Sequence, residues 1–202
     1  MQRERLAAGR TLPLDPARVL VFAGHMADAP GRPVPRLPQA KLAAAAACTA
    51  DVLAQIGAGP GDLAITQGAS GGDLLFAEAC LARGVPLQLM LPQAEKAFVR
   101  DSLKPSDGGV TWKDRFDAVK QRCAAAPIVL GDAVVDPPPS ANIYEACNRW
   151  QLATAVAYGV ERLHFVCLWD GGGGDGEGGT RDFVDEVRRM GGRTHWIDTR
   201  TL

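Results

Sequence analysis

Apolar residues fall along the chain in two alternating rhythms: short, mainly apolar runs of four to ten residues, and longer stretches in which small and apolar residues recur at helical spacing. The runs are Arg18–Ala27 (RVLVFAGHMA), Leu63–Thr66, Pro86–Leu91 (PLQLML), Pro127–Leu130, Leu163–Trp169 (LHFVCLW) and Thr194–Asp198. Near-continuous apolar runs of this length, bounded by Gly and Pro, read as strands buried on both faces. Between them, Gln39–Ile56, Asp73–Arg83, Asn142–Tyr158 and Thr180–Met190 read as helices. Gly57, Gly84 and Gly191–Gly192 stand at three of their C-terminal ends, as helix stops do. Gln93–Arg122 reads as helix in two pieces, broken around Pro105–Gly109. Strands alternating with helices predict an α/β protein: a Rossmann-like three-layer α/β/α domain with a mainly parallel sheet of about six strands.

The organisation is one domain over 18–202, preceded by a loosely held polar arm, 1–17. Asp28–Pro38 (DAPGRPVPRLP) carries four prolines and can be neither helix nor central strand, so it is a loop. Asp136–Ser140 (DPPPS) reads as a stiff connector within the domain.

Composition narrows the function classes. Hydrophobic residues make up 47% and charged residues 22%, and the formal net charge is −1. That balance supplies no basic footprint for duplex nucleic acid and no polybasic patch for a membrane. No run reaches the length of a membrane span, and the charged N-terminus lacks the apolar stretch of a secretory leader. Five widely spaced cysteines form no C-x-x-C pair, so free thiols in a reducing cytoplasm are expected. The three histidines lack metal-ligand spacing; neither a metal site nor a cofactor is expected. Without G-x-x-x-x-G-K-[ST] the chain is no P-loop ATPase.

Candidate chemistry lies in the turns that lead from strand ends into helices. In open parallel sheets ligands sit beyond the carboxyl ends of the strands, where helix N-termini present unpaired N–H groups. Gln67-Gly68-Ala69-Ser70-Gly71-Gly72-Asp73 and Asp170-Gly171 through Gly179-Thr180 occupy such positions. The second contains a formal G-x-G-x-x-G at Gly174, Gly176 and Gly179, with Asp198 about twenty residues on. Seven of its nine residues from 171 to 179 are Gly, so the match carries little information, and Asp170, Asp175 and Glu177 make it acidic. Asp73 at a helix start reads either as an N-cap or as a ligand to ribose hydroxyls. Gly24 and His25 end the first strand and are placed to line the same site; Arg32, Arg36 and Lys41 are candidate counter-charges for phosphate. Gly68-Ala69-Ser70-Gly71-Gly72 is also a formal G-x-S-x-G, and Asp170 and His195 follow in hydrolase order, which makes a serine hydrolase a rival reading. His195 otherwise reads as an edge-strand or surface histidine.

The segment ITQGASGGDLLFAEACLARGV (65–85) resembles the GGA-x-G-x-D segment of the SLOG superfamily. This is a group of Rossmann-like proteins that includes cytokinin-activating phosphoribohydrolases, DNA-uptake proteins and ADP-ribose-sensing channel modules. LWDGGGGDGEGGTRDFVDEVRRMGGRTHWID (168–198) is similar to the second signature, L-W-[DN]-G…GDGPGGT, of a subgroup found with bacterial signalling and conflict systems. The first strand's GHM ending and Asn148-Arg149-Trp150 are similar too. The resemblance implies a pocket for a nucleotide or nucleotide-derived ligand such as ADP-ribose or a nucleotide sugar, possessed by a sensor. Its lining would be Gly24, His25, Gly68, Ala69, Ser70, Gly71, Gly72, Asp73, Asn148, Arg149, Asp170, Gly171, Gly178, Gly179 and Thr180. Asp73 and Asp182 are the candidate catalytic carboxylates for the alternative, phosphoribohydrolase-like N-glycosidic cleavage of a nucleoside monophosphate. The hydrolase motif P-G-G-x-G-T-x-x-E is only partly met: Glu177 replaces the proline, Thr180 directly follows the glycine pair, and Phe183 stands where the glutamate would. The family's Arg-Lys pair has only a loose counterpart in Asn148-Arg149. The partner expected is thus a small nucleotide-derived molecule, with neither duplex nucleic acid nor membrane, and homo-oligomerisation through the helices is open.

Overall fold

Six short strands assemble into one parallel sheet, in the order fourth, third, second, first, fifth, sixth; the four inner strands are buried along nearly their whole length, and the two edge strands are largely half-buried or exposed. The computed structural model describes residues 12–106, 112–133, 142–172 and 180–202. The strands are β1 Val19–Gly24, β2 Leu63–Thr66, β3 Leu87–Leu91, β4 Ile128–Val129, β5 Leu163–Trp169 and β6 Arg193–Asp198. The helices are α1 Leu42–Ile56, α2 Gly72–Ala82, α3 Glu95–Phe98, α4 Trp112–Arg122, α5 Leu130–Ala133, α6 Ile143–Val156 and α7 Thr180–Met190. A π-helical turn, Val99–Leu103, and a 3-10 turn, Lys104–Ser106, continue α3. The predicted α/β, Rossmann-like three-layer fold is the one observed.

Alternation along the strands builds two cores. Leu20, Phe22, Ala64, Leu87, Leu89, Val166 and Leu168 face α1, α2 and α4. Val19, Val21, Ile65, Phe165 and Cys167 face α6 and α7 on the other side. Within the first core Phe22 stacks on Phe76 at 5.0 Å between ring centroids, a contact worth about 1 kcal/mol beyond its buried area.

Several boundaries differ from expectation. Within the apolar run 18–27, β1 begins one residue in, at Val19, and ends at Gly24 as expected; the residues after it turn away to meet the 67–72 turn. The end of the expected arm is fastened: the Ala17 N–H donates to the Gly61 carbonyl at 2.9 Å, and Asp15 pairs with Arg162. The connector Asp136–Ser140 lies outside the described residues. Among the described residues no helix is long and apolar enough to cross a membrane. All five cysteines are free thiols, with Cys80, Cys147 and Cys167 buried.

Chain order fixes where a ligand can enter. β1 through β4 are laid down in one direction, after which the chain crosses back over β1 to place β5 and then β6 on its far side. Right-handed crossovers therefore put α1, α2 and α4 on one face and α6 and α7 on the other. The loops beyond β1 and β5 diverge, leaving a crevice between the two strand ends.

Candidate functional site

That crevice holds a cavity of about 400 Å³, within the range of small-molecule sites. Its walls come from four places. The end of β1 and its loop give Gly24, His25, Asp28, Arg32 and Arg36, and the turn after β2 gives Gln67, Ala69 and Asp73. The π and 3-10 turns give Ser102 and Ser106; α6, Trp169 and Thr180 close the remainder.

The proline loop is closed on itself by one carboxylate. Asp28 Oδ2 accepts the main-chain N–H groups of Arg36 at 2.9 Å and Leu37 at 3.1 Å, and the Asp28 N–H donates to the Leu37 carbonyl at 3.0 Å. Arg32 Nε lies 3.6 Å from Asp28 Oδ1 and donates to the Val34 carbonyl. Arg32 and Arg36 are thereby carried to the cavity. Lys41 is not: its Nζ donates to the Thr199 carbonyl at 2.6 Å, beyond the end of β6.

The glycines of the first turn do a different job from the one expected. The resemblance implies that they line the ligand pocket; the approach they permit is that of the protein's own chain. A Cβ on Gly71, at φ +84°, would stand 2.3 Å from the Ala27 nitrogen, and one on Gly72 would stand 2.8 Å from the Phe22 ring. The Ala27 N–H donates to the Ser70 carbonyl and the Gly72 N–H to the His25 carbonyl. Ser70, Gly71 and Gly72 thus bolt the turn to β1 and the residues just after it, while Gly68 lies against Leu89 and Phe116; these four do not line the cavity, and Ala69 and Asp73 reach it.

Asp73 is not the N-cap, a position taken by Gly71. It reaches back to the end of β2, where its Oδ1 accepts from Thr66 Oγ1 at 2.5 Å and from the Gln67 N–H at 3.3 Å. Burial raises its pKa to about 6; the Thr66 hydroxyl and nearby main-chain donors limit the rise. Gln67 Nε2 in turn donates to Asn148 Oδ1 at 2.7 Å, which brings α6 to the cavity. Arg149, next in sequence, points to Glu145 and away from it.

At the crevice itself His25 meets Asp170, 145 residues later. The Asp170 N–H donates to His25 Nε2 at 3.2 Å, and Asp170 Oδ1 lies 3.2 Å from the same nitrogen. Burial lowers the His25 pKa, with Asp170 acting against it and Arg36 with it. For Asp170 burial opposes ionisation, but the Gly172 N–H, His25 and Arg36 outweigh it and hold the carboxyl below its ordinary value.

The serine-hydrolase constellation does not assemble. Ser106 Oγ donates to the Ala27 carbonyl, so the 2.7 Å Ser70–Ser106 contact is donated by Ser70, whose hydroxyl is fully buried. Asp170 is engaged with His25. His195 lies on β6, three strand spacings or about 14 Å across the sheet from β2, and bonds to His164 at 3.1 Å.

The second glycine turn is described at its two ends. Gly171, at φ +80°, follows Asp170, and Thr180 lines the cavity. Gly174, Asp175, Gly176, Glu177, Gly178 and Gly179 lie outside the described residues. Asp182 is exposed on α7 and does not line the cavity; Phe183, one position on, is buried and stacks on Phe165 at 4.5 Å. The position at which a hydrolase glutamate would stand faces the core.

Sequence reasoning missed Ser102, Ser106, Asn142 and Tyr144. Ser102 Oγ and Tyr144 OH meet at 3.2 Å, and Asn142 caps α6 by accepting from the Tyr144 N–H at 2.9 Å. A signal was available for the serines: they flank Pro105 four residues apart, where a helix had to change its winding. Among the described residues no group of three or more His, Cys, Asp or Glu could hold a metal ion. Compared with known proteins, the chain matches no family model and no curated protein.

Proposed function

We propose that this chain is a SLOG-like domain that binds, and so senses, a nucleotide or nucleotide-derived ligand such as ADP-ribose or a nucleotide sugar. The observation that carries the reading is the place and lining of the cavity. It opens at the switch point between β1 and β5, and Arg32 and Arg36 share its wall with His25, Asp73, Asn148 and Thr180. Two guanidiniums suit phosphate, the amide and hydroxyl groups suit sugar hydroxyls, and Trp169 and Tyr144 offer aromatic surface to a base.

Binding is favoured over N-glycosidic cleavage because Phe183 turns into the core and Asp182 lies off the cavity. A panel of nucleotides, cyclic nucleotides, nucleotide sugars and ADP-ribose, read by thermal shift, tests the proposal. A ligand at a hundred times its Kd adds about 2.7 kcal/mol of stability. No shift with any member sinks the reading, and release of free base from a nucleoside monophosphate replaces it with the hydrolase.

A further inference from the structure

The contact between His25 and Asp170 contains more information than an ion pair. The Asp170 main-chain N–H can only donate, so when it bonds His25 Nε2 that nitrogen presents its lone pair. A neutral imidazole with Nε2 as acceptor carries its proton on Nδ1. Nδ1 has no hydrogen-bond partner among the described residues, and the ring lines the cavity that Arg36 also lines. The same Nε2 lies 3.2 Å from the Asp170 carboxylate, so a second proton placed there has an acceptor waiting. His25 thus offers a donor at Nδ1 in both states, and its positive charge, when present, is balanced by Asp170.

The charged surroundings of this ring come from both flanking loops. Asp170 follows β5; Asp28 and Arg36 belong to the loop after β1. The 67–72 turn meets His25 through the main chain of Gly72, and Asp73 is the carboxyl that α2 contributes to the same cavity. An anion bound beside Arg36 would oppose the repulsion that Arg36 exerts on a protonated His25.

Resting on the nucleotide-binding reading, we infer that His25 is the donor that recognises an anionic phosphate oxygen of the ligand, and that this binding takes up a proton onto His25 Nε2, held by Asp170. Affinity should then rise as pH falls through the interval between the free and bound titration midpoints of His25, approaching tenfold per pH unit for one proton. ADP-ribose is a suitable probe, because its phosphates stay ionised throughout the range in which a histidine titrates.

Imidazole nitrogen NMR of the wild-type protein, free and saturated with ADP-ribose, tests this directly. Only three histidines need assignment. The expected result is a neutral His25 protonated on Nδ1 in the free protein, and a titration midpoint raised by the probe. His25→Asn keeps a donor near the Nδ1 position and removes the imidazole titration, so it should bind ADP-ribose with the proton-uptake step of His25 missing from its pH profile, any slope left belonging to Asp73. Should that variant fail to fold, the wild-type titration decides alone. A free His25 protonated on Nε2, or a midpoint unmoved while ADP-ribose is demonstrably bound, overturns the inference and leaves the binding reading standing. Absence of any thermal shift or resonance change across the nucleotide panel overturns both.

Discussion

The sheet carries histidine at both of its ends, and the two environments could hardly differ more. At the carboxyl end His25 faces a carboxylate and a cavity. Toward the amino end His164 and His195 stack with parallel rings, 5.2 Å between centroids, joined by a 3.1 Å bond. Arg193 Nη1 donates to His164 Nε2 at 3.3 Å, so His164 is held neutral with its proton on Nδ1, passed toward His195. Burial first, then His195 and Arg193, push the His164 pKa down to about 4. One residue type is thus poised in one place and silenced in the other. What separates them is topology: the loops diverge beyond the carboxyl ends of β1 and β5, so His25 meets an opposite charge and a cavity there, whereas His164, near the start of β5, meets a second imidazole and a guanidinium.

The largest effect should come from the junction that shapes the cavity end. Gly71→Val places a branched side chain at positive φ and into the Ala27 main chain, and should cost about 3 kcal/mol or more. Calorimetry should show a Tm at least about 6 °C lower, or no cooperative transition. A Tm within a degree or two of wild type would mean that the turn is not locked to β1.

Next in size is a paired test of the two ends. Arg36→Ala should weaken ADP-ribose by roughly 10- to 100-fold, the worth of a hydrogen bond to a charged group, with stability retained because its main-chain N–H still reaches Asp28. Arg193→Ala, at the far end, should leave the affinity unchanged. Equal losses by isothermal calorimetry would place the ligand elsewhere.

The smallest effect is the sharpest in sign. The His164 pKa is depressed in the fold, so its contribution is present above the unfolded value near 6.5 and is lost as pH falls toward about 4. The Asp73 pKa is raised, so its contribution is present below the unfolded value of 3.8 and is lost as pH rises through about 6. Between these limits the two slopes oppose each other. Asp73→Asn should make stability rise more steeply with pH across that window, and His164→Gln should make it fall relative to wild type. Denaturant melts at stepped pH read both; a shared sign would refute the assignment.

How much of this was readable in the chain follows from the range of each interaction. β5 and α7 match their expected bounds, since near-continuous apolar runs and helical spacing are local signals. Gly71 and Gly72 were legible as a turn, but their partner is a strand end some 45 residues away, which no local pattern announces. His25 and Arg36 were singled out from their positions after β1, yet Asp170 could not be paired with His25 without the order of the strands. The hydroxyl wall of Ser102 and Tyr144 depends on a π turn, whose winding is set by packing and not by composition.

The proline loop over the cavity has a kinetic consequence. Four prolines and a doubly used Asp28 leave 28–38 few conformations to surrender when a guest arrives. Little ordering entropy opposes association, so capture should proceed as docking onto a finished surface, and the lifetime of the complex rather than its rate of formation would set selectivity among related ligands.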